Sequence, residues 1–177
     1  MADIFCNSTV SQYVQVDCGI DQAGIVAAAF VPEDTPTPSV ANLEDEAWWT
    51  AILDLSPISA FVVTKTRGEY AGGTPTEEDG FGRESTQITG ATHEATLEFE
   101  GIDENRDFVE GVNRRKFKVA LVTNGDKVIF IDAPVTSYFK LSIPRGITTA
   151  AFWTGTLKWQ DYSNPIVADI PANIFDE

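Results

Sequence analysis

The sequence predicts a mainly β fold: an antiparallel β-sandwich or small barrel with one or two flanking helices. Three observations carry this. Residues 92–100 alternate strictly, with His93, Ala95, Leu97 and Phe99 on one face and Glu94, Thr96, Glu98 and Glu100 on the other. Asn124-Gly125 separates two β-branched runs, a strong hairpin signal. Gly and Pro cut most of the chain into short segments, leaving two stretches with helical spacing.

Taken in order, Tyr13-Val14-Gln15-Val16 alternates like a strand, whereas residues 24–31 read equally as strand or buried helix. Pro32, Pro36 and Pro38 mark a linker. A helix follows, with Asn42 as its N-cap and Glu44, Asp45 and Glu46 in its first turn, where the helix dipole favours negative charge. Leu43, Ala47, Ala51, Ile52 and Leu55 form its apolar stripe, and Pro57 ends it. Trp48 and Trp49 are adjacent, so they diverge: one belongs to the core and the other to a surface or a neighbouring subunit.

Residues 59–66 read as a strand. Residues 68–83 read as a long loop because they hold five glycines, Pro75 and the acidic run Glu77-Glu78-Asp79. Asp103 is expected to cap a short helix to Asn113, with Phe108, Val109 and Val112 inward. Strands at 117–123, 127–132, 135–143 and 149–159 complete a meander, and residues 162–177 run extended over a surface. The total is seven or eight strands in a single domain over residues 1–177, with 1–31 and 162–177 as candidate arms.

Charge and chemistry narrow the function. There are 27 acidic and 12 basic residues, a net charge of -15, so the surface repels nucleic-acid backbone and anionic membranes. No apolar run is long enough to span a membrane, and the first ten residues lack the basic-then-apolar pattern of a secretory signal. Cys6 and Cys18 are too few for a disulfide scaffold and read as free thiols. Asn7-Ser8-Thr9 matches a glycosylation acceptor by chance.

No catalytic residue, metal site or cofactor is expected. The chain lacks a nucleophile elbow and a phosphate-binding glycine pattern. His93, its single histidine, sits on an apolar strand face and reads as a satisfied core or interface group. Carboxylate pairs are too abundant to point at a cleft. Arg114, Arg115 and Lys116 stand out against the acidic background. They suit a helix C-terminus, or an acidic patch on an adjacent subunit.

The layout resembles the tail tube (major tail) proteins of long-tailed phages, a family related in fold to the tube proteins of contractile injection systems. The resemblance rests on the strand-rich core, the glycine-rich segment 68–83, the short helix at 103–113 between strands, and the acidity. It covers residues 59–159, with Gly90-Ala91-Thr92-His93-Glu94 and Glu104-Asn105-Arg106-Asp107-Phe108 as the stretches most like such proteins.

What the resemblance implies is a virion structural protein with no enzymatic activity, forming stacked hexameric rings. DNA would pass through an acidic lumen without specific binding, and other tail or neck proteins would be partners. Glu94, Glu98 and Glu100 would face the lumen, and Gly72, Gly73, Glu77, Glu78 and Asp79 would lie in the inter-subunit loop. Arg114, Arg115 and Lys116 would supply interface charge. The alternatives are another virion role (head–tail connector or capsid decoration protein) and a carbohydrate-binding β module with tryptophans as its platform.

Overall fold

The computed structural model describes residues 24–54, 60–79, 86–145, 150–171 and 174. The chain is mainly β: the described residues form eight antiparallel strands in one sheet and three short helices. The strands are β1 (Ile25–Pro32), β2 (Phe61–Val63), β3 (Arg67–Asp79), β4 (Thr86–Phe99), β5 (Lys116–Thr123), β6 (Lys127–Ser142), β7 (Phe152–Asp161) and β8 (Ile166–Asp169). Their order is β2-β1-β5-β6-β7-β4-β3, with β8 also paired to β6.

The sheet rolls up instead of splitting into a sandwich. At the end of the path the Thr66 N–H donates to the Val26 carbonyl at 3.0 Å, bringing the base of β3 back to β1. Lys65, with φ 55°, makes the turn that allows this. Inside the roll, Phe30 meets Phe108, Phe117 and Phe139 edge to face, at centroid separations of 5.8, 6.1 and 6.2 Å. Helix α3 (Arg106–Asn113) plugs this interior with Val109 and Val112. Asn113 secures it: its Nδ2 donates to the Phe139 carbonyl, and its Oδ1 accepts from the Phe139 N–H.

A second core lies on the other face of β1, β5 and the first half of β6. Helices α1 (Val40–Leu43) and α2 (Glu46–Asp54) and strand β8 cover it with Leu43, Trp49, Ile52 and Ala168. Strands β1 and β5 are therefore buried on both faces. Their apolar runs are continuous for that reason, and β1 resolves as a strand.

Strand β6 is one long strand where two were expected. Pro134 lies where its pairing with β5 shifts register, and its lateral partner changes there from β8 to β7. The Asn124-Gly125 hairpin is present, but Asp126 takes the left-handed conformation (φ 55°). Its N–H donates to Thr123 O, which gives a type I turn with a following left-handed residue.

Several expectations need correction. Ser39, not Asn42, caps the first helix. Asn42 completes a reciprocal capping box from the third helical position, and the chain then restarts at Asp45, whose Oδ1 accepts from Ala47 N. Asn105 rather than Asp103 precedes α3, and it makes no side-chain cap. Residues 25–31 are a central core strand, so no N-terminal arm extends there, and Tyr13–Val16 lies outside the described residues. Part of the expected C-terminal arm is β8, with Ile170 and Ile174 packed on the second core.

Candidate functional site

The largest correction concerns the segment read as a loop. Residues 67–79 form β3, paired with β4 from Arg67–Glu98 out to Asp79–Thr86. Two register shifts let the glycines and Pro75 into the ladder. Gly72 (φ 87°) supplies the backbone of the first, between Tyr70 and Gly73. Beyond the Pro75–Ala91 pair, where β7 ends, the ribbon leaves the body. Every residue from 71 to 78 is exposed, as are Ile88 and Thr89 opposite. Gly72, Gly73, Glu77, Glu78 and Asp79 thus belong to a two-stranded arm.

An aromatic lock fixes the arm at its base. His93 is 2% exposed and stacks on Trp159, with centroids 5.1 Å apart and planes at 6°. Tyr70 lies over both rings, and its hydroxyl shares a 2.7 Å hydrogen bond with His93 Nδ1. His93 Nε2 is buried without a partner among the described residues. Burial raises the Tyr70 phenol above its ordinary pKa. Gly73 is required beside this stack because a Cβ there would overlap the imidazole ring. His93 therefore acts as a core packing group, as expected.

The face opposite the lock is exposed, and its residues fall into three rows running across β5, β6, β7, β4 and β3. One row is Lys116, Thr136, Lys158 and Glu94; the next is Tyr138, Thr156, Thr96 and Glu69; the third is Lys140, Thr154, Glu98 and Arg67. Glu94 pairs with Lys158 at 3.0 Å, and Glu98 approaches Arg67 at 3.9 Å. Glu100 lies past the end of β4, outside the rows. Three acids face four bases, so this surface is not the acidic one expected around Glu94 and Glu98; the acid excess lies elsewhere.

The basic cluster divides. Arg114 pairs with Glu110 within one helical turn, at 3.6 Å. Arg115, Lys116 and Lys140 are exposed and have no carboxylate partner among the described residues. Between Lys116 and Lys140 lies Tyr138, 66% exposed.

One polar cluster was missed by sequence reasoning. Lys118 is nearly buried on β5; its Nζ lies 2.7 Å from Asp132 Oδ1 and donates to Thr35 O at 2.6 Å. Thr37 donates to the other Asp132 oxygen at 2.6 Å. This clamp ties the proline linker across β5 and β6. Burial alone would raise the Asp132 carboxyl; the hydrogen bonds from Lys118 and Thr37 and the Lys118 charge outweigh it and hold the pKa below the ordinary value.

No tryptophan is exposed. Trp49 and Trp159 are buried, and Trp48 and Trp153 are partly covered, with Trp48 edge-on to Trp49 at 4.9 Å. A tryptophan ligand platform is therefore missing. Among the described residues no group of His, Cys, Asp and Glu is placed to hold a metal, and no helix is long and apolar enough to cross a membrane.

The fold and site define an all-antiparallel rolled sheet with a projecting ribbon. Comparison with family models, curated proteins and solved structures finds no match to this chain.

Proposed function

We propose that the chain is a structural subunit that assembles with copies of itself, and specifically a tail-tube-type virion protein made in a host cytoplasm. The observation that carries this is the arm. A two-stranded ribbon exposed on both faces is marginal in water by itself. Here 76–79 and 86–90 extend past the end of β7 while the base is locked by His93, Tyr70 and Trp159. Such a ribbon gains its packing from a neighbour, and a heterologous contact between like subunits closes into rings or propagates.

The particular tube reading adds the resemblance in layout. In it, the part of the three-rowed face on β7, β4 and β3 lines the lumen, and the β5–β6 part lies beside it, free for a neighbour. That lumen mixes Glu69, Glu94 and Glu98 with Arg67, Lys158 and three threonines, a surface that offers DNA no net attraction. The other virion roles share the assembly step and differ in the geometry of the particle.

Sedimentation velocity and negative-stain microscopy of the purified chain test the reading. Rings or tubes are the expected result; a monomer at the highest soluble concentration overturns it. A variant with residues 75–91 replaced by Asn-Gly should stay folded and lose assembly.

A further inference from the structure

Resting on that assembly reading, we propose where the arm docks: the acidic ribbon of one copy seats on the cationic strip Lys116–Tyr138–Lys140 of the next. The occupant is a second copy of this chain, and three observations select it.

The first is charge. The chain holds 12 basic residues against 27 acidic ones, so an exposed cation without a carboxylate neighbour needs explaining. Lys116 and Lys140 are two such cations on one side of the sheet, and exposed Arg115 precedes Lys116 in the chain. Lys116 lies across from Thr136, and Thr136, Tyr138 and Lys140 follow at two-residue spacing on one face of β6. The strip is thus a tyrosine flanked by two ammonium groups, complementary to an extended acidic segment. Glu77 and Glu78 supply that segment on an arm exposed along its length.

The second is reach. Glu77 pairs with Ile88, while Lys140 belongs to the row of Glu98, ten residues further along β4. At a strand rise of about 3.3 Å per residue, Glu77 lies about 20 Å along the strands from the Lys116 end of the strip, in the row of Glu94, and about 33 Å from the Lys140 end. The arm points away from that row, so contact is made only in trans. Donor and acceptor surfaces are distinct, which makes the interface heterologous and able to continue from copy to copy.

The third is the state of the strip. Lys158 and Arg67 on the same face already have Glu94 and Glu98 as partners, while the cations beside Tyr138 do not. A nucleic acid is the competing ligand for such a strip. The net charge of -15 opposes it, since long-range repulsion acts on a phosphate backbone before local contacts form.

The test is charge reversal in the full chain, read by sedimentation velocity and microscopy, with circular dichroism confirming the fold. Lys116→Glu with Lys140→Glu should weaken self-association about tenfold or more, as should Glu77→Lys with Glu78→Lys. Mixing the two variants restores arm–strip contacts in both directions and should recover assembly. If both variants assemble like the wild type, the docking assignment is wrong while the assembly reading stands. If the wild type is monomeric, both fall. If a duplex oligonucleotide binds the wild type and not the Lys116→Glu, Lys140→Glu variant, the strip is a nucleic-acid surface and the proposal is overturned.

Discussion

Replacing Asp132 by asparagine should destabilise the fold by about 2 kcal/mol, between the values typical of exposed and buried ion pairs. The reasoning starts from unequal burial of the partners. The Lys118 side chain is 11% exposed, and that of Asp132 is 35% exposed. The substituted amide would keep the shape and the hydrogen bond from Thr37. It would leave the Lys118 ammonium with the Thr35 carbonyl and no opposing charge. Lys118→Met is milder, at about 1 kcal/mol, because it removes the deeply buried charge and leaves a carboxylate that still reaches water.

Urea or thermal unfolding at one protein concentration separates the two. For a chain of this size the midpoint moves about 2–4 °C per kcal/mol, so Asp132→Asn should lower it by about 6 °C and Lys118→Met by about 3 °C. The pH dependence adds a sign. The folded Asp132 carboxyl titrates below its ordinary value of 3.8. Its contribution is therefore complete above the unfolded value and is lost as pH falls through the folded one, the decline starting at about pH 5. Asp132→Asn should flatten that part of the acid limb. A larger loss from Lys118→Met than from Asp132→Asn would refute the argument, since it would mean that the carboxylate is the costlier group to strand.

Four further substitutions probe the local packing. Gly73→Ala presses a methyl into the stacked His93 ring, and Gly155→Ala presses one into the Phe139 ring. Each should cost about 1–3 kcal/mol in urea unfolding. Gly90→Ala, with nothing within 4 Å, should be neutral or stabilising by up to about 1 kcal/mol. Tyr70→Phe leaves His93 with no partner on either ring nitrogen, which should cost about 1–2 kcal/mol in the same assay. Because the Tyr70 phenol is raised, its contribution is present below the unfolded value of 10.0 and lost as pH rises through the folded one. Absorbance titration should show one late-ionising tyrosine that disappears in Tyr70→Phe.

The legible parts of the fold were those with one dry and one wet face. Strand β4 alternates because the roll buries His93, Ala95, Leu97 and Phe99 while the other face meets water. Strand β1 reads Ile-Val-Ala-Ala-Ala-Phe-Val because both its faces are covered, so period alone could not separate strand from helix. The arm reads as a loop in the sequence because Gly and Pro are local signals, whereas its pairing is with residues up to 31 positions away, as in Arg67–Glu98. The capping box spans Ser39 and Asn42, and a reading that looks for one cap finds the wrong member. The Lys118 clamp left a single trace in the sequence: a lysine within the otherwise apolar run Phe117 to Val122. Its partners Thr35, Thr37 and Asp132 come from separate segments, which no local pattern connects.

The arm also shows how an exposed edge can be specific instead of merely adhesive. A flat apolar edge strand would pair with any other strand it met. Strand β3 avoids this by three devices: Pro75 removes a donor, two register shifts interrupt the ladder, and Glu77 and Glu78 put charge on the edge. Backbone pairing is thereby discouraged along the distal half, and what remains to recognise is side-chain charge. The lock at the base serves the same end. With Gly73 pressed on His93, and His93 stacked on Trp159, the arm's direction is set by the core, so its charges are delivered at a fixed distance from the body. An interface built this way selects a partner by the spacing of its cations, and Lys116 and Lys140 on either side of Tyr138 offer one such spacing.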